Sequence, residues 1–338
     1  MTEKFCQTTS KAVSIITDLH RLEGEDALAW QIRCCLAKKN GETDMDWAEI
    51  RDMLGLSITP DQLRKQSVGI KLYDDYINDG YIVATRILSI SDTHYPFAKP
   101  LDTYKHYIGK VDILQLNGDI FDHQGISRFP KMYRISPVEE LIGGRQYIID
   151  LINMIKPKKV VANYGNHEAR WSSTLCNQLN NEMQEFMPET VFDYIFVDGF
   201  THYDRKSGAK VKYEPLTTVF PDIDIEYTGT WWSQIASCVF CHPKAFASSP
   251  LKTAEKALYW FRNEGVDFRA LIMAHTHRIG SYSIGNSKIY EQGCCCDTKK
   301  IDYNNGMLIN SQKEGFLYLC LDDNGDVIDK LTKQEILN

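Results

Sequence analysis

Ile87-Leu88-Ser89-Ile90 leads into Ser91-Asp92-Thr93-His94, an apolar run of strand length that ends on a carboxylate and an imidazole. Four other segments follow the same grammar. Val111-Asp112-Ile113-Leu114-Gln115-Leu116 precedes Gly118-Asp119-Ile120-Phe121-Asp122, and Lys159-Val160-Val161-Ala162 precedes Gly165-Asn166-His167-Glu168. The run from Ala236 to Cys241 precedes His242, and Leu271-Ile272-Met273-Ala274 precedes His275-Thr276-His277. Short apolar runs of this length read as buried strands. Layered α/β folds bind ligands where strands end at their carboxyl side. Buried carboxylates and imidazoles cost free energy unless something pairs them. Five strand ends carrying Asp, His and Asn therefore ask for a shared partner, and a cluster of cations would pair them all. Mixed carboxylate, imidazole and amide ligands suit manganese, iron or zinc more than calcium or magnesium.

The bulk numbers agree with a globular enzyme-sized chain. At 338 residues it can bury a large core and is expected to hold two units. Its 43% hydrophobic and 25% charged content is ordinary for a soluble protein. No stretch approaches membrane-spanning length, and Met1-Thr2-Glu3-Lys4 does not open a signal peptide. Ten cysteines without a secretion signal imply reduced thiols and a cytoplasmic location. The net charge of −7 argues against a protein that coats duplex nucleic acid by general basicity, though a local basic groove stays open. Cys238-Val239-Phe240-Cys241-His242 has the spelling of a haem attachment site, but buried thiols acting as small hydrophobes account for it better. Cys294-Cys295-Cys296 lacks a second Cys/His pair at finger spacing, so core packing is preferred to a zinc site.

Residues 1–82 read as a separate helical unit. Lys11 to Leu19 and Asp26 to Lys38 carry apolar residues at helical spacing. Asp46 to Leu56 places Trp47, Ile50, Met53 and Leu54 on one face, with Gly55 as a stop. Thr59-Pro60 restarts a helix with an N-cap and a proline at the first position, running to about Tyr76. The pair resembles the helix-turn-helix units of phage and bacterial proteins, whose second helix here would present Gln62, Arg64, Lys65, Gln66 and Lys71 to DNA. The alternative is a helical module for self-association into a homo-oligomer. The 10 Lys+Arg against 14 Asp+Glu in this unit counsel against general DNA affinity.

Residues 83–338 alternate strand, loop and helix. Pro137 to Lys156 and Leu251 to Glu264 carry apolar stripes at helical spacing, and Ser281 to Glu291 reads as a hairpin. Gly315 to Leu321 and the Asp323-Asn324-Gly325 turn close the pattern. Residues 171–235 form an insert without a clear core pattern. Its segment from Tyr203 to Tyr213 reads as a basic hairpin, with Arg205, Lys206, Lys210 and Lys212 between aromatics. Such a mixture suits frayed or single-stranded nucleic acid; the alternative is a solvated hairpin.

The order Asp-x-His, Gly-Asp-x-x-Asp, Gly-Asn-His-Glu, His and His-x-His resembles the calcineurin-like metallophosphoesterase superfamily over roughly Arg86 to Gly280. Ala274 departs from the glycine the family usually has before His-x-His, and Gly-Asp-Ile-Phe-Asp is spelled more like the DNA-repair exonucleases than the protein phosphatases. The resemblance implies an α/β fold, a four-layer α/β/β/α sandwich, here with the small all-α N-terminal domain. It implies two divalent cations: one held by Asp92, His94 and His277, the other by Asn166, His242 and His275, with Asp119 bridging. It makes His167 the general acid and Asp122 the residue that orients and raises it. Arg170 and Arg128 are candidates for gripping phosphoryl oxygens, or else surface salt bridges. The function expected is hydrolysis of phosphodiester bonds, foremost as a manganese-dependent DNA nuclease. The alternatives are a phosphomonoesterase or small-nucleotide phosphodiesterase, or a DNA-binding or scaffold protein with a structural metal site.

Overall fold

The computed structural model describes residues 16–337 apart from 17, 78–80, 128–134, 179–186, 206 and 302–311. The proposed helix from Lys11 to Leu19 lies mostly outside the described residues. The chain divides into two compact units, Met1–Tyr81 and Ile82–Asn338. Among the described residues no helix is long and apolar enough to cross a membrane.

In the first unit, α1 (Ala27–Lys39) is capped by the Asp26 carboxylate, which accepts from the Ala29 N–H at 2.8 Å. Asp46 and Glu49 form a reciprocal capping box at the start of α2 (Trp47–Met53). Gly55, at φ +65°, ends that helix. Thr59 and Gln62 cap α3 (Pro60–Ile77) in the same reciprocal way, at 2.8 and 3.2 Å. Leu19, Cys34, Cys35, Ala37, Ile50 and Leu63 form the unit's own buried core. Along α3 the bases are already neutralised: Arg64 and Lys65 both pair with Asp61, and Lys71 pairs with Asp75. Val68, Leu72, Tyr73 and Tyr76 of the same helix are exposed.

The second unit is built on two sheets. The first has strand order β13-β12-β1-β2-β3-β6 and the second β10-β11-β9-β8-β7. In the first, β1 (Thr85–Ile90), β2 (Ile113–Asn117), β3 (Lys159–Asn163) and β6 (Asp224–Tyr227) run parallel; β12 (Gly315–Leu321) and β13 (Lys333–Ile336) are antiparallel additions. In the second, β8 (Cys238–Cys241), β9 (Ala270–Met273) and β11 (Ser287–Gln292) are parallel, with antiparallel β7 (Trp232–Ile235) and β10 (Ile279–Ile284) at the edges. Side chains alternate across each strand. Leu88, Ile90, Leu114, Leu116, Val160 and Ala162 pack with α4 (Pro137–Ile155), whereas Ile87, Leu317 and Leu319 meet Cys238, Phe240, Ala270 and Ile272 of the other sheet. Val239, Cys241, Leu271 and Met273 turn outward onto Ala254, Leu258 and Phe261 of α6 (Lys252–Asn263). The result is helix, sheet, sheet, helix: the four layers expected.

The insert proves less coreless than its sequence reads. It holds α5 (Arg170–Gln178), a π-helix at Asp193–Asp198, the β4–β5 hairpin (Phe200–Asp204 and Ala209–Tyr213) and β6, an edge strand of the first sheet. Val191, Phe192, Ile195 and Phe196 are fully buried. The i→i+5 spacing of a π-helix matches no 3.6-residue pattern, which hides this core from periodicity.

Candidate metal centre

The carboxyl ends of β1, β2, β3, β8 and β9 converge on one buried cluster. Its acids and imidazoles form three overlapping or adjoining groups, Asp92 with His94 and His277, Asp119 with His242 and His275, and His94 with Asp122 and His167, the nearest side-chain N and O atoms of each lying within 4.8 Å of one another. In the first, His277 Nε2 stands 3.0 Å from Asp92 Oδ1 and 3.2 Å from His94 Nε2. In the second, His242 Nε2 stands 3.0 Å from Asp119 Oδ2 and 3.8 Å from Asp92 Oδ1. Asn166 Oδ1 and His275 Nε2 are buried without a hydrogen-bond partner. Nitrogens facing nitrogens, with two orphaned lone-pair atoms beside them, fit a set of ligands aimed at cations.

The far sides of three of these imidazoles, His242, His94 and His277, meet a partner, as those of metal-binding histidines usually do. His242 Nδ1 donates to the Asn117 carbonyl at 2.9 Å, leaving Nε2 for the centre. His94 Nδ1 lies 3.2 Å from Asp122 Oδ1. The His277 ring meets Cys294, and Cys296 lies within the same 4.8 Å cluster. Both thiols are buried, as core packing requires, but they also stand against a candidate ligand, which spacing alone did not reveal. The eight cysteines whose side chains are described are free and buried.

Burial would raise the Asp92 and Asp119 carboxyls, but the surrounding histidines outweigh it and hold both below the usual carboxylate range. Burial pulls His242 down, yet Asp119 and Asp92 outweigh it and push the ring up to about 9. His275 is driven down to about 3, first by burial and then by His242.

Local backbone geometry aims these groups. Asp92, His94, Asp119, His275 and His277 all have positive φ, between 46° and 76°. Gly118, at φ +77°, packs so closely that an added Cβ would lie 2.7 Å from His242 Nδ1 and 2.8 Å from the Gly165 Cα. A Cβ on Gly165 would lie 2.5 Å from the Asp119 nitrogen. Ala274, by contrast, has no positive φ and hydrogen-bonds normally to Cys241, so the alanine is accommodated. Glu168 ties the two glycine loops together: its carboxylate accepts from the N–H groups of Asp119 (2.8 Å), Phe121 (3.0 Å) and Gly165 (2.8 Å). Its place in the Gly-Asn-His-Glu motif was legible; its role needed the folded loops.

His167 sits on this frame. Its backbone N–H donates to Asp119 Oδ1 at 2.7 Å and its ring Nδ1 donates to the Asp122 carbonyl at 2.8 Å, with Asp122 Oδ1 at 3.3 Å. Arg170 donates from Nη2 to His167 Nε2 at 2.7 Å and from Nη1 to the Asp122 carbonyl at 3.0 Å. A ring that accepts at Nε2 is neutral. Burial lowers the His167 pKa; Asp119 and Asp122 both raise it, Asp122 in the direction expected of it, but burial prevails and the net shift is downward. In the free protein the Arg170 guanidinium is thus engaged by His167 and the Asp122 carbonyl. His123 is buried and stacks on Phe121, with ring centroids 5.6 Å apart.

The basic hairpin is the β4–β5 pair, Phe200 opposite Tyr213 through Asp204 opposite Ala209. Arg205, Lys210 and Lys212 are exposed, Lys212 pairs with Glu214 at 2.7 Å, and none of the three hydrogen-bonds to a described residue of the centre. Arg128 and Lys206 lie outside the described residues.

The family profile described as Calcineurin-like phosphoesterase matches residues 85–278. No curated protein sequence matches the chain. Among solved structures, vacuolar protein sorting 29 from Cryptosporidium parvum is 13% identical, covering 76% of this chain and 98% of its own, with a TM-score of 0.36. Zinc-bound vacuolar protein sorting 29 from Entamoeba histolytica is 12% identical, covering 75% and 98%, with a TM-score of 0.36. An archaeal phosphodiesterase is 13% identical, covering 75% and 99%, with a TM-score of 0.35.

Proposed function

This chain belongs to the calcineurin-like phosphoesterase family, and from that premise we propose that it hydrolyses phosphodiester bonds of nucleotide-containing substrates with two divalent cations, manganese foremost. The carrying observation is the convergence of Asp92, His94, Asp119, His242, His275 and His277 from four strand ends, with Asn166 Oδ1, at a fifth, orphaned beside them. In this reading Asp92, His94 and His277 hold one cation, Asn166, His242 and His275 the other, and Asp119 serves both. Bound divalent cations supply Lewis acidity toward phosphoryl oxygens and a lowered water pKa.

The chain's own residues supply the rest. The buried His167 ring, held at Nδ1 by the Asp122 carbonyl, presents Nε2 as the atom that carries a proton to the departing oxygen. Arg170 occupies that nitrogen in the free protein, so substrate binding must move the guanidinium off Nε2, toward the phosphoryl oxygens that guanidinium geometry suits.

The sequence favours DNA as the substrate, through its motif spelling, the helical N-terminal unit and the basic hairpin. A small-nucleotide phosphodiesterase is the second reading. The internal ion pairs of α3 favour it, because neutralised bases release few counterions from a phosphate backbone. For the N-terminal unit the same pairs, with exposed Val68, Leu72, Tyr73 and Tyr76, favour self-association over DNA contact.

The deciding experiment is manganese-dependent turnover of single-stranded DNA, duplex DNA, a bis-nitrophenyl diester and a nitrophenyl monoester, side by side. The phosphodiesterase reading requires the diester to exceed the monoester. Turnover of the monoester alone would replace it with a phosphomonoesterase. No turnover by protein with two metals bound would leave the scaffold alternative.

A further inference from the structure

A cavity of about 420 Å³ adjoins the centre, and Asn166 and His242 form part of its lining. That volume falls within the range of about 300–1,000 Å³ that holds one small organic molecule, and it is far too small for a duplex. The large side chains of the remaining wall are aromatic and basic, set among the small Pro243, Ala245, Thr253 and Ala257. Trp231 and Trp260 stand with ring centroids 5.0 Å apart, tilted by 58°, and Tyr164 adds a third ring. Trp260 is 41% exposed although the next residue on α6, Phe261, is completely buried. A surface indole beside a cavity is a stacking face awaiting a flat partner. Lys244 and Lys256 also line the cavity, are exposed, and make no ion pair among the described residues. An acyl chain would gain nothing from two ammonium groups, and an inorganic anion would gain nothing from the indoles. A flat heterocycle carrying phosphate uses both.

We propose that this cavity is the nucleoside subsite of the substrate. The reacting phosphate sits at Asp119, Asn166 and His242, the attached base stacks on Trp231 and Trp260, and Lys244 and Lys256 take its remaining anionic oxygens. The inference rests on the phosphodiesterase reading and deepens it: the group next to the scissile bond is a nucleoside. A free mononucleotide ester and the terminal residue of a strand offer the same chemistry.

Calorimetric titration of the manganese-loaded full-length protein with adenosine 5′-monophosphate, adenosine and inorganic phosphate tests it. The monophosphate is expected to bind at least about tenfold tighter than phosphate. Trp260→Leu, which keeps an apolar side chain but no aromatic face, should weaken monophosphate binding about 5- to 150-fold, the range that loss of one base stack spans. Trp260→Phe should restore most of it. Lys256→Gln, an exposed change on α6, should weaken the monophosphate and spare adenosine, so the subsite remains testable if Trp260→Leu fails to fold. Equal affinity for monophosphate and phosphate in the unaltered protein overturns the proposal, as does unchanged monophosphate binding in both Trp260→Leu and Lys256→Gln. A short oligodeoxynucleotide titrated alongside identifies the source, and binding tighter than the monophosphate points to a strand end. Binding is read at equilibrium. A protein that selects the monophosphate but cleaves no ester keeps the subsite and loses the phosphodiesterase reading, whereas one that cleaves esters without such selectivity loses the subsite alone.

Discussion

At the scale of single residues, the centre is held in backbone conformations that side chains resist. Left-handed φ at non-glycine positions costs of order 1–3 kcal/mol each, and five candidate ligands carry it. Strain of that kind persists where the surrounding structure over-determines it and where function uses it. Asp119 ties the His167 loop to the centre: Oδ1 accepts from the His167 N–H and Oδ2 faces His242. Asp119→Asn is therefore expected to lower the metal content, measured by mass spectrometry of the dialysed protein, while circular dichroism stays unchanged; two metals retained at full activity would refute the bridging assignment. His167→Ala should keep the metals and lose about 10²–10⁴ in rate on esters with poor leaving groups. The loss should be much smaller for nitrophenyl esters, whose departing oxygen needs no proton. Equal losses on both ester types would show that His167 does not act as the acid.

At the scale of elements, loops rather than strands carry the precision. The turns after β2 and β3 touch backbone to backbone at Gly118 and Gly165, and Glu168 stitches them with three hydrogen bonds. Gly165→Ala forces a Cβ against the Asp119 loop and should destabilise the protein by about 1–3 kcal/mol, the usual cost of overpacking. Urea unfolding measures the stability change and metal analysis the accompanying loss; unchanged values for both would mean the loops can part without consequence. On α4, Glu140 is buried and accepts the His123 N–H. Burial pushes its carboxyl up to about 8. A folded-state pKa raised above the unfolded value means the folded protein binds the extra proton between roughly pH 4.3 and 8. The stability this contributes is complete below the unfolded pKa and lost as pH rises through 8. Metal-free protein should thus lose stability relative to Glu140→Gln between pH 5 and 8, read from urea midpoints; a difference independent of pH would show that Glu140 titrates normally.

At the scale of the whole molecule, the two units have separate cores, one of α1 to α3 and one of the sheets and their helices. Removing residues 1–81 should leave hydrolysis of a small diester within about twofold. It should also reduce any oligomer to monomer, as measured by light scattering. A large loss of small-diester turnover would show that the helical unit completes the active site.

Much of the second unit was legible because its signals are local. The runs Ile87–Ile90 and Lys159–Ala162 lie in strands, the stripe read from Pro137 to Lys156 is the helix Pro137–Ile155 with a proline at its start, and each motif follows its strand end. Hydrophobic periodicity and chain order determine such features residue by residue, and the residues that gather at the centre could be named from them. What the sequence could not decide depends on contacts between distant segments. Ser89, Gln115, Asn117 and Asn163 interrupt otherwise apolar strands. They form a buried hydrogen-bonded seam with Ser233 and Gln292 of the other sheet, spanning separations of up to 203 residues. The Trp231–Trp260 wall, the Arg170 contact on His167 and the Cys294 contact on His277 arise in the same way. A buried polar group must find a partner, and a single chain of letters says that it needs one without saying which. Only the packing of one sheet on the other makes that choice.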